Sequence, residues 1–190
     1  CDSLPFSSHK MYGPMGVGAL VGRRTALERL VPLRLGGDMV QWVTFDEAVF
    51  ADLPARLEGG TPNVAGTVGM AAASAFISHL GQARIEAHLT ALRDRAVSGL
   101  QRLPGVRVLS PDTAGSAIVS FVVDEVHPHD IGTLLDEAGI AVRTGHHCAQ
   151  PPLAHLGVGP TTRASFAVYN TMEEAERLVA GVARAVEVLR

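Results

Sequence analysis

Lysine is almost missing from this chain. Of its 190 residues 16 are basic, and the only lysine among them is Lys10; every other one is arginine. Cysteine is nearly as scarce, with Cys1 and Cys148 alone, which excludes a disulfide framework and makes a reducing, cytoplasmic setting the default expectation. There is no excess of positive charge. A net charge of -3 argues against the basic footprint that nucleic-acid binding requires. No apolar run reaches the roughly 20 residues that span a bilayer, and no signal-peptide pattern opens the chain, so no membrane association is expected. Hydrophobic residues at 47% and charged residues at 18% describe a packed chain, not a disordered one. Residue 1 is Cys, not Met, and the first ten residues already read as a buried strand running into a motif. Natural domains begin with more slack, so the expectation is a fragment cut just before an internal strand.

Leu4–Phe6 and Gly16–Val21 read as strands on either side of Tyr12-Gly13-Pro14, which suggests a hairpin. Thr25–Val31 reads as a short helix. Residues 35–62 are rich in loop formers, with Trp42 and Phe45 as expected anchors. Val64–His79 is small and apolar and reads as a helix buried on most sides. A second helix follows over Ala83–Leu103, with Ile85, Leu89, Leu92, Val97 and Leu100 at helical spacing. After the Pro104-Gly105 break the pattern is that of a small α+β unit: a strand over Ile118–Val123, a helix over Asp130–Ala138 closed by Gly139, strands over Ile140–Arg143 and Arg163–Val168, and a last helix. Thr171 and Glu174 form a capping box for that helix, and Leu178, Val182, Val186 and Leu189 its apolar stripe. The expected domains are residues 1–103 and 104–190.

Three features carry chemistry. Lys10 follows a strand and precedes a Gly/Pro turn, where a scaffold presents a reactive group. A desolvated lysine amine loses its proton and forms a Schiff base with an aldehyde, which arginine does not do. Ser7 and His9 beside it are able to donate to a phosphate. Chance survival of one surface lysine is the alternative. Cys148 lies in AVRTGHHCAQPP, a loop marked by Gly145 and Pro151-Pro152, where Arg143, His146 and His147 supply the positive field that favours a thiolate. A metal site built with His146, His147 and Cys148, with His155 nearby, is disfavoured by the consecutive spacing, and an inert buried thiol by the polar loop. Arg163, at a strand end beside a loop, is placed to grip a carboxylate in bidentate fashion, with a rim salt bridge as the alternative.

The segments SSHKMYGPMGVGAL, EGGTPN, RTGHHCAQP and TRASFAVYNT together resemble the group II cysteine desulfurases of the class V aminotransferase superfamily, which include SufS-type enzymes and selenocysteine lyases. The resemblance runs through almost the whole chain, and RTGHHCA with its cysteine is its specific part. It implies an α/β architecture, the pyridoxal 5'-phosphate (PLP)-dependent transferase fold type I, with the end of the large domain and a whole small α+β domain carrying the cysteine loop. It implies that Lys10 carries PLP, that Ser7 and His9 contact its phosphate, and that Thr61 reaches the phosphate of a partner subunit in a homodimer. Cys148 matches the persulfide-forming cysteine, Arg163 the arginine that grips the substrate carboxylate, and Arg143 a further active-site arginine. No metal is implied. The implied reaction converts L-cysteine, or L-selenocysteine, to L-alanine and passes the sulfur from Cys148 to an acceptor protein of iron–sulfur cluster assembly. Family members are roughly twice this long, and their N-terminal half supplies a phosphate-binding loop, a ring-stacking His and an Asp for the pyridine nitrogen. These 190 residues alone are therefore expected to be inactive. The rival readings are another class V PLP enzyme, such as an epimerase or a kynureninase-like hydrolase, and a non-catalytic sulfur carrier.

Overall fold

Antiparallel pairing starts at the first residues. In the computed structural model, which describes residues 1–109 and 116–190, strand β1 (Ser3–Ser7) pairs with β2 (Gly18–Gly22) in a register that sets Phe6 opposite Ala19. The expected hairpin is present. Its connection is a 3-10 turn over Ser8–Lys10, closed where the Ser8 amide donates to the Val17 carbonyl at 3.0 Å. Helix α1 (Arg24–Leu27) follows, shorter than expected.

Residues 35–62 hold more regular structure than their composition suggests. Strands β3 (Val40–Val43) and β4 (Ala48–Phe50) form a second hairpin with an irregular register at Val40/Trp42. The Thr44 hydroxyl accepts the Glu47 amide at 3.1 Å, a local side-chain bond that shapes the turn. Trp42 and Phe45 are not anchors. Both are exposed, and Met39 is the buried residue of this segment. Helix α2 (Val64–Leu80) starts at Asn63, whose Oδ1 accepts the Gly66 amide at 2.9 Å. This helix is not buried on most sides either. Only Gly66 and Ala73 are buried, while Val64, Val68 and Phe76 are exposed. These residues and Cys1–Gly81 as a whole form the first of two compact units.

The second unit, Gln82–Arg190, contains α3 (Gln82–Leu100), β5 (Val106–Leu109), β6 (Ile118–Val123), α4 (Pro128–Glu137), β7 (Arg143–Gly145), α5 (Gln150–His155), β8 (Thr161–Ser165) and α6 (Met172–Leu189). The four strands form one antiparallel sheet in the order β5-β6-β8-β7. On β6 Val119, Phe121 and Val123 are buried at alternate positions, the period-2 pattern of a half-covered strand. They join Leu100, Ile131, Leu135, Leu178 and Val182 from the helices in one core. The capping box is as expected: the Thr171 hydroxyl accepts the Glu174 amide at 3.3 Å, and Glu174 accepts the Thr171 amide at 2.9 Å.

The domain boundary expected after residue 103 lies earlier, at Gly81. The reason is packing. Leu92, Ala96, Val97 and Leu100 of α3 are buried, and the last three enter the same core as β6 and α6. Gly99 permits the close approach of α6, since a Cβ there would lie 2.5 Å from Val179 Cγ2. The strand expected over Ile140–Arg143 begins only at Arg143, and α5 replaces the expected Pro151-Pro152 loop because proline is compatible with a first helical turn.

Phe121 is fully buried at the centre of this core. Phe121→Ala removes its contacts and leaves a cavity, so the urea midpoint of the protein is expected to fall by the equivalent of about 3–5 kcal/mol. A change below about 1 kcal/mol would show that the core collapses around the void.

Candidate active site

In the first unit the turn after β1 presents Ser7, Ser8, His9 and Lys10. Ser8 is completely buried. Its carbonyl accepts the Met11 and Gly13 amides at 2.9 and 3.0 Å. Gly13 is required here, because a Cβ on it would fall on the Ser8 hydroxyl. With Ser8 tied down on both sides, His9 and Lys10 are turned outward and exposed. The Ser8 hydroxyl has no partner among the described residues, an orphaned donor one position from the expected Ser7. An exposed amine beside hydroxyl and imidazole donors suits a group that carries both an aldehyde and a phosphate. Tyr12 follows with φ +68 and sets its ring edge-on to Phe76 of α2, 6.1 Å between centroids. Asn63 joins its own segment to this turn, with Nδ2 donating to the Gly16 carbonyl at 3.3 Å. Thr61 is exposed two residues before it.

In the second unit the sheet brings the other expected residues together. Arg143 of β7 and Arg163 of β8 are directly opposite each other in the antiparallel register, so both side chains leave the same face of the sheet. Arg163 is the third residue of β8 and not its first, and its Nε is buried with no partner among the described residues. Arg143 Nη2 lies 4.0 Å from Cys148 Sγ, at the outer limit of an N–H···S contact. Cys148 itself is exposed. Its backbone and that of His147 are both left-handed, with φ +59 and +54, and the Ala149 amide donates to the His146 carbonyl at 2.8 Å. Two positive φ values closed by such a bond describe a type I′ turn.

His147 departs from its expected role. Its ring bonds to Thr161 and its lowered pKa weakens its part in the positive field around the thiol. Its Nε2 lies 2.8 Å from the Thr161 hydroxyl and 3.2 Å from the Thr161 carbonyl oxygen. Burial, first, and then the Arg163 guanidinium hold its pKa below the ordinary histidine value, against the opposing hydrogen bond from Thr161. Among the described residues no group of three or more His, Cys, Asp or Glu side chains is placed to hold a metal ion.

The comparisons with known proteins add the frame for these two constellations. Residues 1–178 match the family model for aminotransferase class-V. The chain belongs to the class-V aminotransferase family. Within it, the chain is 48% identical over 189 residues to a probable cysteine desulfurase 2 of Mycobacterium leprae, covering 98% of this chain and 45% of that protein. It superposes with a TM-score of 0.94 and 43% identity on the crystal structure of the cysteine desulfurase CsdA (S-sulfonic acid) from Escherichia coli, covering all of this chain and 47% of that one. A cystine C–S lyase variant with glycine covalently linked to its PLP cofactor aligns with TM-score 0.68 and 27% identity over 91% of this chain and 43% of its own. The α/β fold-type expectation therefore holds, and this class-V chain spans about half the length of the relatives it matches.

Three site residues escaped the sequence reading. Ser8 was hidden beside Ser7, although Gly13 five positions on is the residue that accommodates its hydroxyl. Asn63 is readable as a helix cap, but its reach to Gly16 is not. Thr161, fully buried, had no signal beyond its place in a strand.

The lowered pKa of His147 has a signed consequence. Below its unfolded value of 6.5 the unfolded chain binds this proton more readily than the folded one, so stability falls as pH drops through 6.5 and the loss levels off beneath the folded pKa. Measured as the difference in unfolding free energy between the wild type and His147→Gln across pH 5–8, this contribution should appear on the acid side. A pH-independent difference would contradict the assignment.

Proposed function

We propose that the full-length protein is a PLP-dependent cysteine desulfurase. The observation that carries this reading is the cross-strand pair Arg143–Arg163 with the Cys148 thiol beside it. Like charges directly opposite each other on a sheet are unfavourable, and an incoming carboxylate relieves that repulsion. A substrate with a carboxylate and a sulfur atom matches two guanidinium groups and a nucleophilic thiol. The cysteine desulfurases at 43–48% identity support the choice of L-cysteine.

Lys10 would carry the cofactor, with Ser7, Ser8 and His9 facing its phosphate, and residues 1–81 would belong to the cofactor-binding large domain. Bound there, PLP supplies an electron sink for the substrate carbon. Lys10 Nζ would move the proton at the substrate Cα as general base and acid. Arg163 holds the substrate carboxylate through its planar fork. Cys148 Sγ forms a bond to the substrate sulfur while the substrate Cβ–S bond breaks, so that L-cysteine and the Cys148 thiol become L-alanine and a Cys148 persulfide. The sulfur then passes to an acceptor protein of iron–sulfur cluster assembly in the cytoplasm. L-selenocysteine fits the same groups, because selenium is the more easily attacked atom. The protein would work as a homodimer, with Thr61 completing the phosphate site of the neighbouring subunit. No single helix among the described residues is long and apolar enough to cross a membrane.

Borohydride reduction of the full-length protein, followed by peptide mapping, should find a pyridoxyl label on Lys10; a label elsewhere removes the assignment. Lys10→Arg should abolish alanine production, since guanidinium forms no Schiff base near neutral pH. Arg163→Lys keeps the charge but loses the fork, and should raise KM for L-cysteine about tenfold or more with cofactor content unchanged. An unchanged KM would leave Arg163 a structural cation. Cys148→Ala should retain the cofactor and lose sulfide release; turnover at the wild-type rate would favour a class-V lyase that uses no thiol nucleophile.

A further inference from the structure

We infer that His147 is a positioning residue for Cys148, its imidazole latching onto Thr161 and so fixing the left-handed turn that sets the thiol beside Arg143. The inference rests on the desulfurase reading for its meaning in catalysis, but its geometry stands apart from that reading.

The argument begins with backbone strain. A type I′ turn places both central residues at positive φ, which Gly, Asn and Asp tolerate. Here they are His147 and Cys148, at +54 and +59. Side chains with a Cβ are sterically disfavoured in this region, so such a conformation persists only where surrounding contacts over-determine it. The Ala149–His146 backbone bond is one such contact. On the far side, the Leu153 amide donates to the Ala149 carbonyl at 3.1 Å, joining the turn to α5. Neither bond restrains the His147 or Cys148 side chain. The bond from the His147 ring does, because its partner is rigid: Thr161 is fully buried and pairs in register with Gly145 at the end of β7.

The ring chemistry gives the latch a direction. The Thr161 hydroxyl, at 2.8 Å, is the nearer partner of Nε2, and the Thr161 carbonyl oxygen, at 3.2 Å, is a second acceptor on the same residue when Nε2 carries the proton. His147 Nδ1 is buried and has no partner among the described residues. In the neutral Nε2–H tautomer this leaves one unfilled acceptor. In the protonated ring it leaves a buried N–H donor with nothing to bond, next to two arginines. The neutral ring is thus the form that fits, held through its contact with the Thr161 hydroxyl. Released from Thr161, His147 frees the strained pair to relax toward ordinary φ values, and Cys148 Sγ leaves the place where Arg143 reaches it.

The test uses the full-length holoprotein and two readouts. The first is the rate of Cys148 alkylation by iodoacetamide without substrate, followed by peptide mass. The second is steady-state alanine production. His147→Ala and Thr161→Val should each lower kcat about tenfold (~1.4 kcal/mol), with KM and cofactor content unchanged, and each should alter the alkylation rate. The double variant should be no worse than either single one, as expected of residues acting through one contact. His147→Gln keeps an N–H donor at a similar reach and should recover most of both rates. Additive losses, failure of His147→Gln to rescue, or a wild-type kcat and alkylation rate in His147→Ala would overturn the latch. Failure of the desulfurase reading looks different: Cys148→Ala would keep wild-type turnover, and the alkylation arm would still decide for or against the latch.

Discussion

Two guanidinium groups held directly opposite each other across β7 and β8 are the constraint around which the second unit is organised. The pairing of Arg143 with Arg163 is dictated by register, because Thr144–Thr162 and Gly145–Thr161 follow it in order. A one-residue slip would send one arginine to the other face. The core prevents that slip: on β8 Thr161, Thr162 and Ala164 are buried, and Thr162 reaches the Pro128 carbonyl of α4. The repulsion left at this site has several consequences. Behind burial, it disfavours a charge on His147, and it favours an anionic ligand beside the buried Arg163 Nε, which has no partner among the described residues.

Both reactive residues sit just past the end of an antiparallel strand, in turns whose shape is held by small or buried neighbours. Lys10 ends a 3-10 turn whose preceding serine is buried under Gly13. Cys148 occupies a left-handed position in a turn tied to Thr161 through His147. Non-glycine residues at positive φ cluster where function requires a side chain aimed at one point. His147 and Cys148 fit that description, and Tyr12 two residues beyond Lys10 does as well.

Local signals in the sequence survived where one element decides the outcome. Thr171 and Glu174 cap α6 because the bonds span only three residues, and β6 declares itself through alternating burial. The β1–β2 hairpin and its lone lysine were legible for the same reason. Features that depend on distant partners were not. Trp42 and Phe45 are large and apolar, yet both stay exposed. Helix α3 reads from sequence as part of the first domain, whereas its Leu100 shares a core with β6 and α6. Pro151-Pro152 read as a loop because proline breaks helices internally, whereas here the prolines sit in a first turn. Within the site, the motif RTGHHC identified Cys148 and Arg143, but the partner of His147 lies fourteen residues away on another strand, and no spacing rule points to it.

The central claim is that Cys148 receives the sulfur. It is tested most directly by incubating the full-length protein with L-cysteine, trapping exposed thiols by alkylation and weighing the peptides. The account predicts one added sulfur atom on the peptide that contains Cys148, dependent on Lys10 and removed by reductant. Sulfur found on another cysteine, or alanine formed with Cys148 unmodified throughout, would contradict it.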